Sequence, residues 1–430
     1  MRPRVTPVIA HGTWLPTQTK TIKFQAAVWA LLFVALMPPG SSAAQHQLEL
    51  VSANNQYRLR DQVSGKTLLT TASADQAFGI AKERLGQVGG LLRLTPGRYV
   101  LTQPVALGNE TWLQGSGRST VLYCRLQGGL LMRAVRGAIV SDLTLLADSA
   151  QRPLVGVQLN DAGECQVRNV RVQGFADYGI YLKNNTFLNE LAHCWVADNR
   201  KANIFLEDLA VGSRGGDFVQ NEIKNCMTVR GGNGVETSNA IVVNVVGCSV
   251  FQPSGHAYFV RKSSNSVLIS GSRSFQVEGD AVVVENSHEI NLSSNIFCWH
   301  RGHGIVLRGA NWGTVSGNNV IDSGVRTRDG SLRTGIVVEK GCKGLQITSN
   351  AVFNWGDQMP MAYGITEDNT GENNLIAQNN INYFTQVGVQ AAGQGTVVTN
   401  NVTAKDRAYQ GMGKKGYPDF DTKKIDQFLH

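Results

Sequence analysis

The chain has 430 residues, of which 42% are hydrophobic and 17% are charged, with 47 glycines and 11 prolines. The low charge excludes wholesale disorder, and the lack of a three-residue glycine period excludes collagen. The formal charge of +8 exaggerates the basic character, since four of the 40 basic residues and no acid lie in residues 1–44. The remaining 36 basic and 32 acidic residues give no case for a nucleic-acid partner.

The N-terminal segment has the layout of a secretory signal. Lys20 and Lys23 precede an apolar run over residues 24–37, Pro38 ends the run, and a small-residue cleavage site follows at 42–44. The run is shorter than the roughly 20 residues that span a bilayer. We therefore predict a signal peptide over 1–44 and a secreted or periplasmic protein without stable membrane association, with an uncleaved anchor as the alternative.

Residues 45–89 are predicted to form an N-terminal extension that ends in a capping helix. Ser73 and Gln76 stand at the spacing of a capping box, and Ala77, Ala81 and Leu85 fall on one face of the helix that would follow. A helix of this kind covers the open end of a stacked structure.

Two short patterns recur in the second half of the chain. In the first, Gly or Ala precedes three mostly apolar residues, at 257, 281, 304, 335, 364 and 388. In the second, an apolar residue stands three positions before an asparagine, at 295, 318, 350, 379 and 400. Repeats of this length with β-branched residues and Asn turns predict an all-β chain, a right-handed parallel β-helix (solenoid) over 90–402, with a C-terminal tail over 403–430. The asparagines are expected to occupy left-handed turn positions and to bond to one another.

The segment after the expected helix, Gly89–Tyr99 and then Thr111–Arg118, resembles the opening of the pectate-lyase-like β-helix superfamily. There a helix is followed by a strand, a Pro-Gly-x-Tyr turn and a Leu-x-Gly-x-Gly segment. The resemblance implies the fold, export and often a carbohydrate substrate. It identifies no single reaction, because the superfamily holds lyases, hydrolases, epimerases and non-catalytic adhesins.

A local pattern at Gly279-Asp280-Ala281 and Gly302-His303-Gly304 is similar to that of polygalacturonases. In that family the first Asp of a Gly-Asp-Asp-Cys motif is the general acid and the His of a Gly-His-Gly motif assists it. The resemblance implies these roles for Asp280 and His303. The second Asp of the family motif is replaced by Ala281, and the other two family motifs are missing.

Equivalent positions of stacked units form columns, and one column is polar. The residues before the Gly or Ala of the first pattern are His256, Asp280, His303, Thr334, Tyr363 and Val387. A carboxylate between two imidazoles favours their charged forms and supplies acid–base groups near neutral pH. The alternative is a polar ladder without a catalytic role.

The two longest units place charged and aromatic residues beside this column, so the expected binding groove is centred on residues 256–368. Further catalytic candidates are the carboxylates Asp322, Asp357 and Glu367. Expected substrate-binding residues are Trp299, His300, Arg301, Trp312, Arg326, Arg328, Trp355, Tyr363 and Asp368. No metal or cofactor motif is found, and the seven cysteines are expected to be buried core residues, with at least one free thiol because their number is odd.

Three functions remain open from the sequence. The first is an enzyme that cleaves glycosidic bonds of a polysaccharide, with Asp280 and a second carboxylate. The second is a lyase or epimerase on a polyuronate, with His303 or His256 as base and Arg301, Arg326 or Arg328 as the neutralising cation. The third is a non-catalytic protein that binds polysaccharide or oligosaccharide.

Overall fold

The computed structural model describes residues 46–54, 56–86, 88–209, 220–324, 333–354 and 361–405. The chain divides into two units, residues 1–42 and 43–430, and all described residues belong to the second. The predicted signal peptide and nearly all of the predicted tail lie outside the described residues. Within the described ranges, no helix is long and apolar enough to cross a membrane.

The described chain is a coil of short parallel strands, and each full turn adds one strand to each of three ladders. Long strands at 139–147, 166–173 and 233–246 take part in two ladders each. The expected all-β solenoid is confirmed. Its regular turns run from Gly90 to Ala404, close to the predicted limits.

Strands are numbered in chain order. Before the coil come β1 (Gln47–Ala53), β2 (Gln56–Asp61) and β3 (Thr67–Thr71). Ladder 1 contains β4 (Gly90–Leu94), β7 (Thr111–Gln114), β10 (Ile139–Ala147), β12 (Gln166–Gln173), β14 (Glu190–Ala192), β17 (Asn221–Lys224), β19 (Asn233–Val246), β22 (Asn265–Ser270), β25 (Asn291–Ser293), β28 (Thr314–Ser316), β31 (Gln346–Thr348), β34 (Leu375–Ala377) and β37 (Val397–Thr399).

Ladder 2 contains β5 (Gly97–Leu101), β8 (Thr120–Cys124), the second halves of β10 and β12, β15 (Trp195–Ala197), β18 (Met227–Val229), β20 (Ser249–Phe251), β23 (Arg273–Val277), β26 (Ile296–His300), β29 (Asn319–Ser323), β32 (Ala351–Phe353), β35 (Asn380–Asn382) and β38 (Val402–Ala404). Ladder 3 contains β6 (Pro104–Ala106), β9 (Gly129–Arg133), β11 (Val155–Asn160), β13 (Tyr178–Lys183), β16 (Ala202–Leu209), the first half of β19, β21 (Tyr258–Arg261), β24 (Val282–Glu285), β27 (Ile305–Arg308), β30 (Thr334–Glu339), β33 (Met361–Glu367) and β36 (Phe384–Gln390).

A column of buried asparagines fixes the bend between ladders 1 and 2. The amide nitrogen of Asn318 donates to Asn350 Oδ1 and to the Leu292 carbonyl, both at 2.9 Å, and equivalent bonds link Asn295, Asn379 and their neighbours. The expected ladder of asparagines is therefore present, with two corrections.

The first correction concerns the last unit, where Asn401 occupies the column and not Asn400. The second concerns backbone conformation. The left-handed backbone conformation is adopted by the residue before each column asparagine, for example by Ser294 (φ 56°) and Asn400 (φ 55°). The column asparagine that follows turns its amide towards the core.

The N-terminal end of the coil is closed by helix α1 (Ala74–Leu85). Ser73 is its N-cap, and the Ser73 hydroxyl accepts the Gln76 N–H at 3.2 Å, as the capping box predicts. The helix buries Ala77, Ala81 and Leu85 against the first turns. The expected capping helix is confirmed.

All seven cysteines are buried and free, as expected for small core residues. Three of them, Cys194, Cys226 and Cys248, stand in the bend where asparagines stand later in the chain. Their thiols donate to backbone carbonyls of their own and the preceding turn. These cysteines are therefore part of the packing of the coil.

Candidate functional site

The polar column lies on the edge of the coil where each turn passes from ladder 2 to ladder 3. The register of β21, β24 and β27 places His256, Asp280 and His303 at equivalent positions in three successive turns, which is the alignment expected from the repeats. Thr334 and Tyr363 continue the column in the next two turns.

Side chains of the column accept hydrogen bonds from the backbone of the following turn. The N–H of Asp280 donates to His256 Nδ1 at 3.2 Å, and the N–H of His303 donates to Asp280 Oδ1 at 2.6 Å. The same pattern begins one turn earlier, where the His256 N–H donates to Asn233 Oδ1 at 2.8 Å. It ends one turn later, where the Thr334 N–H donates to His303 Nδ1 at 3.0 Å. Each side chain is therefore held in one orientation before any ligand arrives.

Glycines make room for these contacts. A Cβ at Gly302 would lie 2.2 Å from Asp280 Oδ1, and a Cβ at Gly255 would lie 2.3 Å from Asn233 Oδ1. A Cβ at Gly279 would lie 3.0 Å from His256 Nδ1. The glycine that precedes each column residue thus lets the side chain of the previous turn approach the backbone.

His303 is neutral in this arrangement. Burial lowers its pKa below the ordinary 6.5, the Asp280 carboxylate raises it in part, and the charge of Arg333 lowers it again. Since Nδ1 accepts the Thr334 N–H, the ring proton sits on Nε2. Asp280 raises the pKa of His303 as expected, but the net shift is downward because burial of the charge and the charge of Arg333 outweigh the attraction.

His256 has two competing partners. Its Nδ1 lies 3.2 Å from the Asp280 backbone nitrogen and 3.5 Å from Asp280 Oδ2. The neutral ring accepts from the first, whereas a protonated ring donates to the second, so the two contacts exclude each other. The Asp280 side chain is 14% exposed, so a substrate atom can still reach it.

Three charged residues flank the column. Glu278 and Arg301 stand two residues before Asp280 and His303 and form an exposed ion pair at 2.5 Å. Arg333 Nε donates to the Arg301 carbonyl at 3.1 Å. Arg301 was expected at the site but Glu278 was not, although both stand two residues before a member of the column.

Three expected site residues lie at the opposite end of the ladder 3 strands. Glu367 is 3% exposed, and its carboxylate accepts bonds from Asn374, Thr396 and the Gly393 N–H, so it holds a turn together. Asp368 likewise accepts the Lys340 and Thr370 N–H groups. Trp312 is 68% exposed on that edge. These three residues therefore lie apart from the column, because a ladder 3 strand separates them from Asp280.

The remaining expected residues divide into three groups. Trp299 and Tyr363 lie half-buried on the same edge as the column, and the Trp299 ring packs 5.1 Å from Phe275. His300 and Asp322 are on this edge as well, but they are 0% and 3% exposed and cannot meet a substrate directly. Arg326, Arg328, Trp355 and Asp357 lie outside the described residues. Within the described ranges, no group of His, Cys, Asp or Glu side chains could hold a metal ion.

A cleft of about 640 Å³ lies on the same edge, in earlier turns than the sequence predicts. It is lined by Leu146, Ala147, Ser149, Arg152, Gln173, Gly174, Asp198, Arg200, Gly231 and Ser254. Ser254 stands two residues before His256, so the cleft ends in the turn where the polar column begins. The groove was expected over 256–368, and this cleft leads to that region from the N-terminal side.

The family model described as "Right handed beta helix region" matches residues 155–320. The fold is a right-handed parallel β-helix. No curated protein matches the sequence.

Solved β-helix structures are similar over most of the chain. The A-module of mannuronan C-5 epimerase AlgE6 from Azotobacter vinelandii has a TM-score of 0.59 at 16% identity, over 77% of this chain and 95% of that one. Tailspike protein 3 of bacteriophage CBA120 has a TM-score of 0.55 at 15% identity, over 88% and 69%. The catalytic unit of an α-1,3-glucanase from Streptomyces thermodiastaticus has a TM-score of 0.50 at 14% identity, over 76% and 64%. At these identities the similarity concerns the fold.

Proposed function

We propose that the protein is an exported enzyme that acts on a polyuronate, with the column at His256, Asp280 and His303 as its reacting site. The observation that carries the proposal is the set of side chains around Asp280. It lies between the imidazoles of His256 and His303, and the charge of Arg333 acts on His303. The other described carboxylate candidates are buried or on the opposite edge. Two of the similar folds are named for polysaccharide enzymes, which accords with a polysaccharide substrate, and the mannuronan epimerase is named for a polyuronate.

This set of groups suits proton removal next to a carboxylate. A base takes the proton from C5 of a uronate, and nearby cations stabilise the charge that builds up on the carboxylate. Asp280 is the base, because one of its oxygens is fixed by the His303 N–H and the other is partly open. Arg333 is the cation for the substrate carboxylate, and Arg301 joins it when that carboxylate displaces Glu278 from its exposed ion pair. His303 offers its Nε2–H as a neutral donor.

Two outcomes follow from the same first step. If the C5–H electron pair forms a C4–C5 double bond, the C4–O4 bond breaks and O4 takes up a proton, which is a lyase reaction. If a proton returns to C5 from the other face, the result is epimerisation.

Hydrolysis of glycosidic bonds is the second candidate. The Gly-Asp and Gly-His-Gly pattern favours it, and Glu278 stands two residues from Asp280 in the same turn. A hydrolase needs a second carboxylate that is free to act. Glu278 is committed to Arg301, so this candidate is the weaker one.

The test is product analysis with the purified protein on uronate and neutral polysaccharides. Absorbance of an unsaturated sugar indicates a lyase, and changed stereochemistry without chain cleavage indicates an epimerase. New reducing ends without unsaturation indicate a hydrolase and would contradict the proposal. Binding without any turnover would indicate a non-catalytic carbohydrate-binding protein. Fractionation of the producing cells tests export.

A further inference from the structure

The cleft before the column has its own chemistry. Its lining comes from five turns, at residues 146–152, 173–174, 198–200, 231 and 254. Turns of stacked parallel strands are spaced by about 4.8 Å, so the cleft extends about 20 Å along the edge. That length admits several sugar rings and continues directly into the turn of His256.

The acids in and beside the cleft are already neutralised. Asp198 binds Arg230 through two bonds, from Nε to Oδ1 at 2.7 Å and from Nη2 to Oδ2 at 2.9 Å, and accepts a third from Gln173 at 2.9 Å. The neighbouring Asp148 accepts two backbone N–H groups, the Tyr123 hydroxyl and Arg125. Neither carboxylate is left to neutralise another cation.

Two arginines of the lining have no such acid partner. Arg152 is half-buried, and its Nε is buried without a hydrogen-bond acceptor. Arg200 is exposed and lines the cleft two turns later. Among the described residues, no carboxylate forms an ion pair with either. A buried guanidinium nitrogen without an acceptor is costly, and an anionic ligand would remove that cost.

We propose that this cleft binds carboxylates of an acidic polysaccharide, on sugar units distant from the one that reacts at Asp280. Arginine is suited to this role because its planar fork matches the two oxygens of a carboxylate. The exposed Ser149 and Ser254 add hydroxyl groups to the lining, where sugar hydroxyls can bind. The inference rests on the proposed polyuronate substrate. It places the polysaccharide along the edge of the coil, between Arg152 and His303.

The test compares short and long ligands. Binding of a uronate dimer and a uronate octamer (mannuronate and galacturonate series) is measured by calorimetry on Asp280→Asn protein, in which turnover is suppressed. Arg152→Gln/Arg200→Gln is introduced into this background. Arg84→Gln, an exposed arginine of helix α1, is the matched control. Melting temperatures show that each variant is folded.

We expect the octamer to bind more tightly than the dimer, and the double variant to weaken octamer binding by about 10-fold to 100-fold, so that the two Kd values converge. The effect should shrink as salt is raised, and Arg84→Gln should leave the ratio unchanged. A double variant with the same ratio as the Arg84 control would overturn the inference alone. Failure of every uronate oligomer to bind before the arginines are changed would overturn both the inference and the proposed function.

Discussion

A large part of the loss of stability in acid should come from one buried histidine, His300. His300 is fully buried at the end of β26, and its Nε2 has no hydrogen-bond partner. Burial lowers the pKa of His300 to about 3, and His303 shifts it in the same direction. In the unfolded chain a histidine has a pKa of about 6.5. Between these values the unfolded chain binds a proton that the folded chain does not, so stability is lost as the pH falls from about 6.5 towards about 3.

The difference of about 3.5 pKa units corresponds to about 5 kcal/mol at full protonation of the unfolded chain. Between pH 8 and pH 4 the wild-type protein should therefore lose about 3 kcal/mol more stability than His300→Leu, as measured by urea denaturation. His193→Leu, which changes an exposed histidine, is the control and should keep the wild-type slope. Equal slopes for wild type and His300→Leu would refute the reasoning.

Two further predictions concern the column and the asparagine ladder. Arg333→Gln should raise the pKa of His303, because the charge of Arg333 lowers it. An NMR titration of the imidazole protons measures this pKa, and an unchanged or lower value would contradict the prediction. Asn318→Ala should lower the free energy of unfolding in urea by about 2–4 kcal/mol. The substitution removes the hydrogen bonds of a fully buried amide and leaves the Asn350 and Leu292 oxygens without their donor. Asn319→Ala, at the exposed neighbouring position, should cost less than about 0.5 kcal/mol, and equal losses for the two variants would show that the ladder is not a principal source of stability.

The repeats allowed the fold and the alignment of the column to be predicted because strand register has a period of two. A slip by one residue would turn every side chain to the opposite face, so the spacing between Ala257, Ala281 and Gly304 left little freedom. The same argument failed at Asn400. There two asparagines are adjacent, and only the backbone conformation shows that the second enters the core.

The protonation of the column could not be predicted from residue types. It depends on where the Nδ1 atoms of His256 and His303 point, and both accept a backbone N–H of the next turn. Glu367 is a related case. It stands where Leu307 and Val338 stand in the preceding turns, and only the donors around its carboxylate show that it holds a turn.

The central claim is that Asp280 is the reacting base, and the turnover of Asp280→Asn tests it most directly. Asn233 occupies the same column and accepts the next N–H at 2.8 Å, so asparagine fits this position and the melting temperature should change little. Turnover of the polyuronate by Asp280→Asn should fall by about 100-fold or more, because the base is lost. The control is Asp61→Asn in the N-terminal extension. Asparagine keeps the oxygen that accepts the Val63 and Ser64 N–H groups, so this variant should be as active as wild type. Near-wild-type turnover by Asp280→Asn would contradict the account and leave the column as a structural ladder.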